Sequence, residues 1–367
     1  MSKTININTN EMKKMMQNAT LTTSKEKDSI LSNALLEINT SEIKITSRNN
    51  IVKSIQKVEI EPQDIEANLI INPNIVFNIL KELKEETTEI TIEENLIKIK
   101  NGKFKTTIKT LNNELYPEEQ NEKGELITTI DFNKLKHLFK SSIPYPDKND
   151  VSREYTGIFT EIENDKMKAS STDHFRLINI ETDIDNNNKT ISFIIEHEGA
   201  SVISKIDMEE TVELYKGNNT ITIKDNLREI QSKLIEGSFP NYQTILLDET
   251  NNYVIMERNE LLSSIKRVSI TNQNNEIELE IKPNEKILTV TSKNQEGEES
   301  IDETSVTQSN NDNEIKIKLD SRFAINFLSQ VTTNDIKLFY RSNEEPIMMQ
   351  AKEEEYIYNY IMTPIVE

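Results

Sequence analysis

The chain has 367 residues, with 63 acidic against 43 basic side chains, a formal net charge of -20, seven Gly, no Cys and no Trp. The absence of Cys excludes disulfides, thiolate metal sites and cysteine nucleophiles and fits a reducing, cytoplasmic setting; the acidity argues against gripping nucleic acid by the overall field of the surface. At about 100–200 residues per domain, the length predicts two to four domains.

In chain order, Met1 to Met16 alternates polar and apolar residues without the apolar core of an export signal. No window approaches the ~18 apolar residues of a membrane span. Asn10-Glu11-Met12-Lys13-Lys14-Met15-Met16 predicts a short helix with one apolar face. Ile43-Lys44-Ile45 follows with the period of two that marks half-buried strands. Asn72 then opens a second helix over Pro73-Asn74-Ile75-Val76-Phe77-Asn78-Ile79-Leu80. Ile90-Thr91-Ile92 and Ile97-Lys98-Ile99 are further strands, and a polar joint follows Pro117 from Glu118 to Glu125. The order then recurs. Asn133 to Phe139 is a helix, Glu196 opens another through Ala200, Val202 and Ile203, Ile221-Thr222-Ile223 is a strand, and Asp248 to Asn252 is a joint. A third round brings a helix at Asn259 to Ile265, strands at Ile277 to Ile281 and Ile315 to Leu319, and a helix opened by Asp320 through Leu328. Residues 294–313 are acidic, rich in Ser and Asn and nearly devoid of apolar residues, which predicts a long surface loop.

Three markers share one spacing. The first apolar positions of the opening helices, Met12, Leu135 and Leu261, are 123 and 126 residues apart. The second-helix openers Asn72, Glu196 and Asp320 are 124 and 124 apart, and Pro117, Pro240 and Pro364 are 123 and 124 apart. The chain is therefore predicted to be α+β, with three repeats at 1–122, 123–248 and 249–367, each carrying two helices packed on antiparallel sheet.

Basic residues gather on the opening helices: Lys13 and Lys14 in the first, Lys134, Lys136 and Lys140 in the second, Arg258, Lys266 and Arg267 in the third. Each outnumbers the acids beside it, while joints and loops are acidic. Motifs for catalysis are sparse. The histidines are His137, His174 and His197. His197-Glu198-Gly199-Ala200-Ser201 lacks the second His that a zinc-protease helix needs. Thr172-Asp173-His174 sets hydroxyl, acid and base side by side, although sequence neighbours usually point apart. No glycine-rich phosphate loop and no G-x-S-x-G elbow occurs. A hydrolase built on Asp173 and His174, and an acidic three-repeat protein-binding scaffold without a DNA role, are the readings open on the residues alone. Ser170 to Leu177, Glu236 to Tyr242 and the apolar end Tyr360 to Glu367 are unusual for plain scaffold, and the chain end is expected to dock as a strand or line a groove.

At these stretches the chain resembles the bacterial DNA polymerase III β subunit, the sliding-clamp family, over its whole length. Ser29-Ile30-Leu31-Ser32-Asn33-Ala34-Leu35-Leu36 resembles the family's Pro-Ile-Leu-x-Asn-x-Leu-Leu. Thr172-Asp173 with Arg176-Leu177 resembles Thr-Asp-Gly-His-Arg-Leu, and Gly237-Ser238-Phe239-Pro240-Asn241-Tyr242 resembles Gly-x-Phe-Pro-Asp-Tyr. Glu345-Pro346-Ile347 and Tyr360 to Ile365 resemble its closing segments. The resemblance implies a non-catalytic processivity factor without cofactor or metal. It implies a head-to-tail homodimer, a ring around double-stranded DNA. The DNA-facing groups would be Lys13, Lys14, Lys25, Lys81, Lys134, Lys136, Lys140, Lys148, Arg153 and Lys266. A hydrophobic groove for the DNA polymerase III alpha subunit, the clamp loader and other proteins with clamp-binding motifs would be lined by Tyr155, Thr172, Arg176, Leu177, Pro240, Ile245, Ile361, Met362 and Pro364. Phe104 and Ile270 would lie at the dimer seam. Three departures fall near the groove: the family's Gly-His is His174-Phe175, its Met-Pro is Thr363-Pro364, and its basic-apolar ending is Val366-Glu367. Gly admits backbone shapes that His resists, so a different loop is expected at residue 174.

Overall fold

The computed structural model describes residues 3–62, 64–117, 124–185, 190–271 and 274–366. The first third of the chain runs β1 (Lys3–Asn8), α1 (Thr9–Thr22), β2 (Ala34–Ile38), β3 (Glu42–Arg48), β4 (Val52–Glu59), β5 (Ala67–Ile71), α2 (Pro73–Glu82), β6 (Thr87–Glu93), β7 (Leu96–Asn101), β8 (Phe104–Lys109) and β9 (Leu111–Asn112). The second runs β10 (Glu125–Asp131), α3 (Phe132–Ser142), β11 (Ile158–Glu163), β12 (Lys166–Thr172), β13 (Arg176–Asp183), β14 (Ile191–Ile195), α4 (His197–Ile203), β15 (Thr211–Lys216), β16 (Thr220–Lys224) and β17 (Arg228–Ile235). The third runs β18 (Asn252–Glu257), α5 (Arg258–Val268), β19 (Glu276–Lys282), β20 (Ile287–Lys293), β21 (Glu299–Ser309), β22 (Ile315–Asp320), α6 (Ser321–Gln330), β23 (Asp335–Tyr340), β24 (Ile347–Lys352) and β25 (Ile357–Met362). Strand, helix, four strands, helix, three strands is thus repeated three times, with β9 as a short addition. The joint at 118–123 and the terminal Glu367 lie outside the described residues.

By internal contacts the chain forms two compact units, residues 1–137 with 195–235, and residues 138–194 with 236–367. The division falls inside the middle third of the chain, and strand pairing shows why. In the first unit β4 pairs with β17, Val52 opposite Ser232, so the sheet runs β9-β5-β2-β3-β4-β17-β16-β15-β10. In the second unit β13 pairs with β25, so the sheet runs β11-β12-β13-β25-β24-β23-β18-β21. Backbone ladders therefore join the middle of the chain to each end, and contact density follows the ladders rather than the 124-residue period.

The helices form where the sequence places apolar residues on one face and a polar cap ahead of them. Asn8 accepts the amides of Asn10 at 2.9 Å and Glu11 at 3.2 Å, and α1 buries Met12, Met15, Met16 and Ala19. Asn72 caps α2, with Pro73 in its first turn, and Val76 and Leu80 complete the core around α1. Each such side chain contributes roughly 1.5–3 kcal/mol on burial. Glu257 and Asp320 cap α5 and α6 in the same way. Glu196 occupies the cap position of α4 but its side chain accepts no cap hydrogen bond, and α4 has only seven residues.

One expectation fails. Residues 294–313 are not a loop: Glu299–Ser309 is an eleven-residue strand, paired with β20 through Ser305 and with β18 from Val306 to Ser309. Thr304 and Val306 are buried on one face, with Asp302 on the same face bonded to Arg267, while Glu299 and Glu303 are exposed. An edge strand needs only this much apolar content, because backbone pairing supplies the rest.

Under the sheet of the second unit lies a buried polar row. Ser170, Asn179, Asn359 and Gln350 are register partners on β12, β13, β25 and β24. Asn179 Nδ2 donates to Ser170 Oγ at 3.0 Å, Asn359 Nδ2 to Asn179 Oδ1 at 3.2 Å, and Gln350 Nε2 to Asn359 Oδ1 at 2.9 Å. Asn179 also donates to the Tyr242 hydroxyl at 3.3 Å, which itself donates to Glu161. A one-residue slip would bury these groups unpartnered.

Two outcomes are expected. A Cβ on Gly199 would lie 1.9 Å from Ser232 Oγ on β17, so Gly199→Ala lowers stability by about 1–3 kcal/mol in urea melts, with partial rescue by Ser232→Gly. Burial raises the phenol pKa of Tyr145, Tyr242 and Tyr360, and at Tyr242 the Glu161 carboxylate acts in the same direction. Their folded values exceed the unfolded value near 10, so the stability they contribute is complete below about pH 10 and is lost as pH rises beyond it, by at most about 1.4 kcal/mol per pH unit per phenol. Urea midpoints measured from pH 9 to 11.5 check this, and Tyr242→Phe removes its share of the slope.

Candidate functional site

The second unit carries a cleft of about 280 Å³ lined by residues from five segments. These are the end of β12 with the turn into β13 (Thr172 and 174–177), residues 240–242 with Ile245, the strand end at Ile361 and Thr363, and, singly, Tyr155 and Pro346. Its floor is continuous with a small core of Leu177, Tyr242, Leu247, Phe339, Met348 and Ile361. The β13–β25 ladder sets Leu177 opposite Ile361, which brings two of the lining side chains together. The size is just below the range of roughly 300–1,000 Å³ usual for small-molecule pockets, and suits a few apolar side chains.

Of the groove residues named from sequence, Tyr155, Thr172, Arg176, Leu177, Pro240, Ile245 and Ile361 line this cleft; Met362 and Pro364 do not. Strand alternation is the reason. Ile361 and Thr363 share a face, and Met362, 1% exposed, points to the other side. His174, Phe175, Asn241, Tyr242, Pro346 and Thr363 are lining residues that sequence reasoning missed, although alternation counted from Ile361 already pointed to Thr363.

The turn between β12 and β13 is held by a dense set of hydrogen bonds. Thr172 Oγ1 accepts from the His174 amide at 3.1 Å and donates to the Arg176 carbonyl at 2.7 Å. One oxygen of Asp173 accepts the amides of Phe175 and Arg176, and the other accepts Arg176 Nε at 2.8 Å. The Phe175 carbonyl accepts both the amide of Thr363, at 2.9 Å, and its hydroxyl, at 3.0 Å. The Arg176 guanidinium sits 5.1 Å from the Tyr145 ring and 4.6 Å from that of Phe323. Within this frame His174 takes φ +73°, the left-handed region, which costs a residue with a Cβ roughly 1–2 kcal/mol. The turn thus has a backbone that glycine would adopt freely, and His174 is held in it. Its Nε2 bonds Asp150 at 2.5 Å and its ring lies 4.0 Å from that of Tyr155. The Asp150 carboxyl is held below its ordinary range by the Ser152 amide first and by His174 second. The imidazole is therefore bonded to Asp150, the Asp173 carboxylate to Arg176, and the Thr172 hydroxyl to backbone, which is not the linked nucleophile and base of a triad.

The basic candidates separate by environment. Lys14 on α1, Lys81 in the last turn of α2, Lys140 on α3 and Lys266 on α5 are exposed and have no ion-pair partner among the described residues, as do Lys25 and Lys148 in loops. Lys13 is half-buried, and Lys134 and Arg153 have partners. Lys136 is engaged locally, donating to the Ile206 carbonyl at 2.9 Å and pairing with Asp207 at 3.3 Å. By contrast, Lys44, Lys57, Lys98, Lys100, Lys166 and Lys316, all on strands, lie within ion-pair distance of a strand carboxylate.

Phe104 is 43% exposed at the start of β8, which pairs with β7 and forms an edge of the sheet β1-β6-β7-β8. Ile270 is 82% exposed in a single turn after α5, and Ile301, 60% exposed on β21, is an apolar surface residue the sequence reading did not single out. Among the described residues no cluster of three or more His, Asp or Glu could hold a metal ion, and no helix is long and apolar enough to cross a membrane.

Comparison with known proteins agrees along the chain. Beta sliding clamps of Pseudomonas putida and of Buchnera aphidicola from Rhopalosiphum padi are 21% and 22% identical over 342 and 326 residues, covering 92% and 88% of both chains. The fold matches the crystal structures of DNA polymerase III subunit beta from Pseudomonas aeruginosa, at 20% identity, and Thermotoga maritima, at 21%, each with a TM-score of 0.90 and complete coverage of both chains. A Pseudomonas aeruginosa sliding clamp bound to griselimycin matches at TM-score 0.90 and 20% identity, covering 99% of each chain. The family models for the N-terminal, central and C-terminal domains of the DNA polymerase III beta subunit match residues 3–120, 129–241 and 243–364 in that order, and by these three successive matches the chain belongs to the DNA polymerase III beta subunit family.

Proposed function

We propose that this chain is a sliding clamp: two copies close head to tail into a ring around duplex DNA, and the cleft on each copy tethers the replicative polymerase and other DNA-processing proteins by short peptide segments. The domains would be residues 1–122, 123–248 and 249–367. The observation that carries the reading is the recurrence of unpaired lysines on the helices. Lys14, Lys81, Lys140 and Lys266 are exposed, have no ion-pair partner among the described residues and recur on helices of all three repeats, whereas strand lysines such as Lys44, Lys57, Lys98, Lys100, Lys166 and Lys316 pair with neighbouring carboxylates.

Helix-borne lysines with free ammonium groups meet phosphate without reading bases. With Lys13, Lys25, Lys134, Lys148 and Arg153 nearby in sequence, they give a weak, sequence-independent attraction. Closure of the ring holds the DNA, so tight binding is unnecessary and would oppose sliding. The negative charge on strands and loops keeps DNA from the outside. At the seam, the unpaired edge of β8 with Phe104 would meet the surface of a second copy around Ile270 and Ile301. In the cleft, a partner's apolar side chains would rest on Leu177, Tyr242 and Ile361, with Phe175 and Ile245 at the rim. No step of this mechanism calls for a catalytic group.

After loading by a clamp loader, the protein should co-elute with nicked circular plasmid and be released when the circle is cut; equal retention on linear and circular DNA refutes the ring. Ile245→Arg places a charge beside the apolar floor at a surface position. It should weaken binding of a polymerase-derived peptide by about tenfold or more, ~1.4 kcal/mol, with unchanged oligomeric mass by light scattering. Unchanged peptide affinity would refute the groove.

A further inference from the structure

We infer that His174 sets the length of the segment that the cleft accepts: its side chain closes the cleft at the Tyr155 end, so the site takes a compact apolar anchor and turns away a peptide that continues past residue 174. This rests on the cleft being a peptide site. The closing wall is assembled from two stretches of the chain. Tyr155 comes from the single turn Arg153–Tyr155, Asp150 from the segment before it, and His174 from the turn between β12 and β13. The imidazole links the other two, bonded to the Asp150 carboxylate on one side and lying 4.0 Å from the Tyr155 ring on the other. Both rings line the cleft.

The backbone at this position explains why the wall is specific to the residue. At φ +73° a glycine would sit without strain and would leave the space between Tyr155 and Asp150 unfilled. The turn that holds the histidine is fixed by the His174 amide donating to Thr172 Oγ1, the Phe175 amide donating to Asp173, and the Thr363 hydroxyl donating to the Phe175 carbonyl. The wall is therefore preformed rather than swung into place by a ligand. Asp150 stays ionised, held so by the Ser152 amide and by the imidazole itself, which keeps the link intact. Other parts of the lining are different in kind. Phe175 is 62% exposed and Ile245 38% exposed, an apolar rim open to solvent. An anchor enters over that rim, reaches Leu177 and Ile361 on the floor, and stops at His174.

The test uses the full-length chain and peptide probes. N-acetyl-Leu-Phe-amide serves as the compact anchor, and the same dipeptide is extended by three alanines at either end. Affinities are read by titration calorimetry or by amide shifts. In the unmodified chain the peptide extended toward His174 should bind about tenfold or more weakly than the dipeptide. In His174→Gly one extended peptide should gain about tenfold over the dipeptide. Asp150→Ala, which frees the imidazole without touching the turn, should shift the same ratio in the same direction. The ratio of two affinities on one protein is insensitive to a general loss of stability. A ratio that is the same in the unmodified chain and both variants overturns the inference while leaving the groove reading intact. Failure of the dipeptide to bind the unmodified chain overturns both.

Discussion

β25 is fixed to β13 in one register, and the cleft, its floor and the chain end all follow from that pairing. The ladder places Leu177 opposite Ile361 and leaves Thr363 free to bind the Phe175 carbonyl twice. Apolar strands alone would tolerate a slip, since Ile, Val and Met are interchangeable to a sheet face. The buried amides of Asn179 and Asn359 do not tolerate it, because each has a partner only when aligned with Ser170 and Gln350. Polar groups inside the sheet thus specify what the apolar ones stabilise. Tyr242 extends the same network into the floor of the cleft, so the cleft and the register of the strands are one connected structure.

Charge is organised on the same principle of local matching. Most of the strand lysines described above are answered by a carboxylate on a neighbouring strand, and pairs of this kind at the surface add little to stability, about 0–1 kcal/mol each. Their consequence is electrostatic. They leave the field of the molecule to be set by the acids in excess and by the lysines without partners, of which Lys14, Lys81, Lys140 and Lys266 stand on helices. A net charge of -20 is compatible with basic groups gathered on particular helices once position is separated from sum.

Much of this was legible in the sequence. The threefold order of elements came from spacing alone, because a cap residue and an apolar stripe recur every 123 to 126 residues. The helices form where the sequence places these signals. What was not legible depends on non-local pairing. Residues 299–309 carry only Ile301 and Val306 as large apolar residues among polar and acidic ones, yet two partner strands supply the hydrogen bonds that make them a strand. Met362 was chosen for the groove on chemistry, and alternation gives the place to Thr363. The oddity of His174 was visible as a residue where glycine would fit better. Its φ and its bond to Asp150, 24 residues away, were not. The two compact units are likewise invisible to a period search, since β4–β17 and β13–β25 join segments far apart in the chain.

That distance has a consequence for biosynthesis. Asn179 and Asn359 are 180 residues apart. On a ribosome adding about 5–20 residues per second, β13 waits roughly 10–40 s for its partner strand to be made. During that interval the edge of β13 has backbone donors and acceptors bonded only to water and open to another strand, the condition under which nascent chains associate with one another. The amides that later lock the register are useful before that moment as well. An edge bearing Asn179 can be solvated, where one bearing leucine at that position would invite a wrong partner. The same side chain therefore guards the nascent edge and, once β25 arrives, selects the strand that belongs there.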